Sequence, residues 1–248
     1  MSKQGQAQPQ TSSSRPHALS ISVFFPCYNE EDNVGPTVTK AREVLDRLDA
    51  DYELIIVDDG SSDATPRIAD EIAAENASVK VIHHPTNLGY GAALQSGIRA
   101  ASKNLVFYTD GDGQFDFAEM PPLLDLIRRY DIVSCYRLNR RDSVVRRFNG
   151  WCWTKLVCLV FGLKLRDIDC AFKLYKREIF DGMELCSTGA LINAEILARA
   201  ARKGYTITQT GVHHFPRTAG RQTGANLRVI FRAFRELLKL RKKICSTK

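Results

Sequence analysis

The chain has 248 residues, 44% hydrophobic and 25% charged, with a formal net charge of +7. That is enough apolar material for one large α/β domain or two small ones, and no run approaches the ~18 apolar residues of a membrane-spanning helix. Seven scattered cysteines without CxxC or zinc-ligand spacing predict reduced thiols in a cytoplasmic protein, not a disulfide framework. Residues 1–18, rich in Gln, Ser and Pro, lack the apolar stretch of a signal peptide and read as a disordered tail.

From there the elements alternate. "LSISVFFPCYNE" reads as a strand that stops at Pro26, and "NVGPTVTKAREVLDRLD" as a helix with Val38, Val44, Leu45 and Leu48 on one face. "YELIIVDDGSSD" is a short apolar run ending in a turn, as in a strand buried on both faces. The helix "ATPRIADEIAAENA", the strand "VKVIHHP", the small-residue helix "LGYGAALQSGIRAAS", the strand "NLVFYTD", the helix "FAEMPPLLDLIRRY" and the strand "DIVSCYR" follow. This order predicts a mostly parallel central sheet with helices on both faces. After Arg137 the alternation gives way to basic, aromatic and helical material. Residues 19–225 read as one unit, and residues 226–248 as a basic amphipathic helix that docks either on that unit or on a membrane interface.

The charge is unevenly placed. Residues 1–127 carry 9 Lys/Arg against 19 Asp/Glu, residues 128–177 carry 13 against 4, and residues 217–248 carry 10 against 1. Two basic segments behind an acidic half suggest a surface that handles anions. The acidic half and the lack of a recognised motif speak against nucleic acid.

Four apolar runs end in polar clusters: "PCYNEED", "DDGSSD", "HHPTNLG" and "DGDGQFD". In an open parallel sheet the carboxyl ends of the strands share one rim, where ligands bind. Asp110 and Asp112, one glycine apart, bring two hard oxygen ligands within reach of a single Mg²⁺ or Mn²⁺; a solvated Asp-Gly turn is the plain alternative. Asp58 and Asp59 are placed to accept from the N–H groups of a uracil or guanine base, while Ser61, Ser62 and Asp63 suit helix capping. Tyr28 is placed to stack on a base, and Asn29 or Glu30 to hold ribose or cap a helix. The adjacent pairs His83-His84 and His213-His214 do not predict zinc, because neighbours on a strand point to opposite faces. Were a hydroxyl group the nucleophile, a general base would be required, and Glu195 and Asp169 are the available candidates; an exposed helix position explains Glu195 as well, and pairing with Arg166 or Lys173 explains Asp169.

Taken together, "ISVFFPCYNEEDNV", "YELIIVDDGSSDAT", "NLGYGAALQSGIRAA" and "DGDGQFD" resemble the successive motifs of family 2 glycosyltransferases. Within that family the chain is most similar to the dolichyl- and polyprenyl-phosphate mannose synthase branch, over roughly residues 20–240. The resemblance implies the Rossmann-like nucleotide-diphospho-sugar transferase (GT-A) fold. It also implies inverting transfer of a mannose-like or glucose-like hexose from a GDP- or UDP-sugar to a polyprenyl phosphate at the cytoplasmic membrane face, with Mg²⁺ or Mn²⁺. By the same resemblance Pro26, Tyr28, Glu30 and Asp59 would line the nucleoside pocket, with Leu88 to Gly91, including Gly89, at its border. Asp110 and Asp112 would hold the cation with Gln114. Arg137 and Arg147, or Arg146 in its place, would meet the acceptor phosphate. Arg217, with Arg221 near it, would close over the diphosphate. Two segments depart from the branch: Gly220 is followed by Arg221-Gln222-Thr223 instead of a small residue and Ser-Lys, and "RDIDCAFKLYKRE" replaces Asp-x-x-Ser-Gly-Phe. A soluble or glycan hydroxyl acceptor is the alternative reading; a nucleotidyltransferase, which would show a GxGTR-like loop at the first strand, and a non-enzymatic nucleotide-sugar binder rank behind it.

Overall fold

The structure, a computed structural model, describes residues 19–139, 144–216 and 236–244. Its first half follows the alternation read from the sequence: β1 (Ser20–Cys27), α1 (Val34–Arg47), β2 (Asp51–Asp58), α2 (Thr65–Glu75), β3 (Val79–His83), α3 (Tyr90–Ala100), β4 (Leu105–Thr109) and α4 (Pro121–Ile127). The strands β3, β2, β1 and β4 lie side by side in parallel register.

Past Ser134 the pattern changes. "DIVSCYR" is two strands, β5 (Ile132–Ser134) and β6 (Tyr136–Leu138). They part at Cys135, whose N–H donates to Phe172 O. Next come α5 (Val144–Phe161) and β7 (Phe172–Lys176), which runs antiparallel between β4 and β5. After α6 (Ile192–Arg202), β8 (Ile207–Thr208) extends the main sheet to the order β3-β2-β1-β4-β7-β5-β8 among the described residues. β9 (Gly211–His213) pairs with β6 in a separate ribbon.

Strand side chains alternate between faces, and the core divides accordingly. Val23, Phe25, Leu54 and Ile56 pack with Val38 and Leu45 of α1 and Leu123 of α4. Phe24, Ile55, Val57 and Tyr108 pack on the other face with α3, α6 and the buried side of α5. Residues 236–244 form a helix, α7, and Leu237, Leu240 and Ile244 join that second cluster. The described part of the C-terminal helix therefore docks on the domain. Leu238 is 54% exposed; at 100° per residue it falls off the line through 237, 240 and 244. The tail 1–18 and residues 226–235 lie outside the described residues.

Candidate active site

The carboxyl ends of β1, β2 and β4 open onto a cleft of ≈ 1060 Å³ lined by Pro26, Tyr28, Asn29, Glu30, Asp59, Tyr90, Asp110 and Asp112, among others. Three of the four polar clusters thus meet on one rim, and the fourth, after β3, reaches it through Asn87.

Asp110 leaves the end of β4 and turns at Gly111. A side chain there would put its Cβ 2.4 Å from Cys27 Sγ, so glycine alone lets this turn rest on the end of β1 with both aspartates lining one cleft. Asp110 Oδ1 is buried and has no hydrogen-bond partner. Burial and the neighbouring Asp112 push the Asp110 carboxyl up to about 7, against the opposing pull of Tyr90, Lys173 and Arg137. A buried carboxylate oxygen with no donor, beside a second carboxylate, fits a hard divalent cation. Gln114, expected in the same shell, donates from Nε2 to Phe215 O, and its backbone carbonyl accepts from Phe215 N–H. The first bond fixes the side-chain amide by its nitrogen; a cation would take its oxygen.

The side of the cleft expected to take the nucleoside is more heavily braced than the sequence suggests. Asp59 accepts from the N–H groups of Leu88 and Gly89, each at 2.9 Å, and meets His84 Nδ1 at 2.7 Å. Three of its roughly four acceptor positions are thus engaged in shaping the 87–89 loop. Gly89 holds a φ of 98°, and a Cβ there would lie 2.7 Å from Thr188 O; the position requires glycine. Asp58, read as a base contact, is corrected. Its oxygens take Ser61 N–H and His83 Nδ1, which puts it beneath the rim as a turn and strand anchor. Asn29, at a φ of 56°, accepts Ser62 N–H on its side chain, and its own N–H donates to Ser61 Oγ. It lines the cleft, yet these bonds tie the β1 turn to the β2 turn. The two serines accordingly serve Asn29 and not the cap of α2, while Asp63 does accept Thr65 N–H. His83 and His84 point apart, onto Asp58 and Asp59.

Toward the basic half, Arg137 is not the open phosphate grip expected of it. Asp167 holds it bidentately, Nε to Oδ2 at 2.7 Å and Nη2 to Oδ1 at 2.9 Å. Although burial opposes the charge, Asp167 keeps the guanidinium protonated well above its ordinary range. It stands as a fixed cation beside Asp110. Asp169 is raised to about 6, chiefly by burial and then by Asp167. Arg147 lies exposed near the start of α5, outside the residues that line the cleft. Arg217 and Arg221 fall outside the described residues; the chain leading to them is tethered at Phe215 to Gln114.

Glu195 is neither exposed nor available as a base. It is fully buried and accepts from the N–H groups of Cys186 and Ser187 and from Arg199 Nε at 2.9 Å. Burial raises its pKa, but the bonds from Cys186 and Ser187 outweigh that and hold the carboxyl below its usual range. Cys27 is no nucleophile either, since burial pushes its thiol far up.

Two residues take on roles the sequence did not assign them: Tyr90, expected only within the Leu88–Gly91 border, and Lys173, expected only as a partner for Asp169. Tyr90 is the one aromatic in the small-residue stretch "LGYGAALQSG", and it lines the cleft next to Asp110. Lys173 is completely buried. Its ammonium donates to the carbonyls of Ile168 and Cys170, to Tyr108 OH and to Asn193 Oδ1, which satisfies a charge that burial alone would neutralise. It thereby fixes the 168–170 turn, whose neighbour Asp167 carries Arg137. A lysine between two apolar residues in "FKLYK" was the only signal.

The sequence profile of glycosyl transferase family 2 matches residues 22–183. The chain belongs to this family. Among curated family 2 relatives it is 33% identical over 172 residues to a dodecaprenyl-phosphate galacturonate synthase of Rhizobium johnstonii, covering 68% of this chain and 51% of that one. It is also 33% identical over 168 residues to an undecaprenyl-phosphate 4-deoxy-4-formamido-L-arabinose transferase of Aeromonas hydrophila subsp. hydrophila, covering 67% and 52%. The chain spans about half the length of these relatives. Glucosyl-3-phosphoglycerate synthase of Mycobacterium tuberculosis, solved with Mn²⁺, UDP-glucose and phosphoglyceric acid, superposes with a TM-score of 0.67 at 19% identity over 93% of this chain and 81% of that one. This family 2 member therefore has the GT-A fold.

Proposed function

We propose that this family 2 glycosyltransferase moves a hexose, mannose-like or glucose-like, from a nucleoside-diphosphate donor to a polyprenyl phosphate presented at a membrane surface, with inversion at the anomeric carbon. The observation that carries the reading is the Asp110–Asp112 pair on the cleft, with the buried and unpartnered Oδ1 of Asp110. Relatives named for polyprenyl-phosphate acceptors support the acceptor class.

On this reading Asp110 and Asp112, joined by Gln114 Oε1, hold Mg²⁺ or Mn²⁺. The bound cation would neutralise charge on the departing diphosphate. Pro26, Tyr28, Glu30 and Asp59 frame the nucleoside, with Tyr28 exposed at the mouth and Gly89 admitting close backbone approach. Arg217 and Arg221 follow the tether at Phe215 in the chain and would meet the diphosphate. An acceptor phosphate is already anionic near neutral pH, so it needs positioning and no base. Arg137, oriented by Asp167, offers its remaining N–H groups and a fixed charge for that task, with Arg147 or Arg146.

A hydroxyl acceptor would instead need a general base. With Glu195 fully engaged, Asp169 is the group that supports this second reading, because its raised pKa and its place beside Arg137 suit proton transfer.

The two readings separate in one assay. The full chain is incubated with radiolabelled GDP- and UDP-hexoses, Mn²⁺ and a polyprenyl phosphate, and label is followed into organic solvent. Lipid-extractable product with one nucleotide is the expected result. Donor turnover with no label on the lipid in any pairing would overturn the acceptor assignment.

A further inference from the structure

Two helices grip the segment 186–188. Its N–H groups go to α6: Cys186 and Ser187 donate to the buried Glu195 at 3.1 and 2.8 Å, and Arg199, one turn along, fixes that carboxylate. Its carbonyls go to α3: Ser187 O accepts from Gln95 Nε2 at 3.0 Å, and Thr188 O from Gly91 N–H at 2.7 Å. Gly91 and Gln95 stand one turn apart, so both meet the segment from one face of α3. The approach is close enough to need the glycines of "LGYGAAL". A Cβ on Gly91 would lie 2.4 Å from Ser187 O, as one on Gly89 would crowd Thr188 O.

The loop that borders the cleft leads into α3 at this point. Asn87 and Tyr90 line the cavity, and Asp59, just past β2, takes the N–H groups of Leu88 and Gly89. The loop is thus fixed at one end by Asp59 and at the other by Thr188. Gly91 N–H belongs to the first turn of α3, whose donors find no partner within the helix, and Thr188 O supplies one. Glu195 anchors the segment from behind, and Gln95 ties it to the helix that carries the loop.

We propose that Gln95 is a positioning residue of the donor site: it locks the 186–188 segment onto α3, keeps the Leu88–Gly91 loop in its binding geometry, and so sets affinity for the nucleoside diphosphate. A site that is only fractionally in its binding-competent form loses affinity in that proportion, and Gln95 raises the competent fraction. It lies outside the residues that line the cleft, so it acts through the loop and not by touching the donor. Its effect on affinity rests on the nucleotide-donor reading above; the brace itself does not.

The full chain, Gln95→Ala and Gln95→Glu are compared by calorimetric titration with UDP and GDP in Mn²⁺, by amide hydrogen exchange, and by donor kinetics in the lipid-transfer assay. Alanine removes the bond to Ser187 O while keeping a helix former at a partly buried position. Glutamate keeps the length but sets an acceptor against that carbonyl. Gln95→Ala should bind nucleotide about three- to tenfold more weakly, the range one net hydrogen bond supplies, and Gln95→Glu more weakly still. The loss should fall in the donor KM, with the turnover number unchanged. Exchange at Gly91 should quicken by a similar factor at an unchanged melting temperature. Wild-type nucleotide affinity in both variants overturns the proposal whatever Gly91 does. So does an affinity loss with Gly91 exchange unchanged, or with faster exchange throughout the sheet. Should the wild type bind neither UDP nor GDP, the donor reading fails, and exchange at Gly91 still decides whether Gln95 fixes the loop.

Discussion

Asp112→Ala is expected to lower the turnover number by about a thousandfold, or about 4 kcal/mol of transition-state stabilisation at roughly 1.4 kcal/mol per factor of ten. The size follows from where charge develops. A nucleoside diphosphate leaves as the glycosidic bond breaks, and no basic side chain lines the described cleft; the two cations that act on Asp110, Lys173 and Arg137, are already committed to the 168–170 carbonyls and to Asp167. Without Asp112 the buried Asp110 has no second carboxylate to share a cation, and the donor's phosphates lose their counter-charge. The loss should appear in the turnover number more than in the donor KM, because the interaction strengthens as the bond breaks. A variant within about threefold of wild type in steady-state kinetics would show that the pair is only a turn.

Glu195→Ala should act differently, on stability. Its carboxylate is fully buried and accepts from two backbone N–H groups and Arg199. Truncation leaves two donors and a largely buried guanidinium unpaired, a loss of about 3 kcal/mol or more. Denaturant unfolding of the purified variant measures it. A general base would behave in the opposite way, with wild-type stability and a collapsed turnover number, and that pattern would reinstate Glu195 in catalysis.

These two carboxylates show what the sequence could and could not disclose. Strands β1 to β4 were legible because a parallel strand buried on both faces is a continuous apolar run, and "LIIV" and "FFPC" are such runs. Their polar ends then fell on one rim by topology alone, which is why Asp110, Asp112, Asp59 and Tyr28 could be named in advance. β7 was not legible. "FKLYK" looks like a half-exposed edge, and only the carbonyls of the 168–170 turn, with Tyr108 and Asn193, make a buried Lys173 tolerable. Glu195 failed for the same reason: besides Arg199 one turn on, its partners are the N–H groups of the loop at 186–187, which no helical pattern reveals. The turn ahead of α2 misled in the other direction. Ser61 and Ser62 have the composition of caps, but the turn after β1 delivers Asn29 to them first. Asp58 and Asp59 were indistinguishable in sequence, and the strand pleat separates them, one onto His83 and one into the cleft.

If Asp110 and Asp112 form a cation site, Mn²⁺ titration of the full chain with UDP or GDP, followed by electron paramagnetic resonance, will show tight binding that depends on both carboxylates. Burial and Asp112 raise the Asp110 carboxyl to about 7, so the cation-free fold keeps a proton that the unfolded chain releases near the ordinary carboxylate value. That stabilisation is present in acid and is lost as pH rises through about 7. A cation must displace the same proton, so the apparent Kd should weaken by up to about tenfold per pH unit below about 7. Asp110→Asn should abolish both the tight site and its pH dependence. Unchanged, pH-independent Mn²⁺ affinity in Asp110→Asn and Asp112→Ala would show that these carboxylates hold no cation.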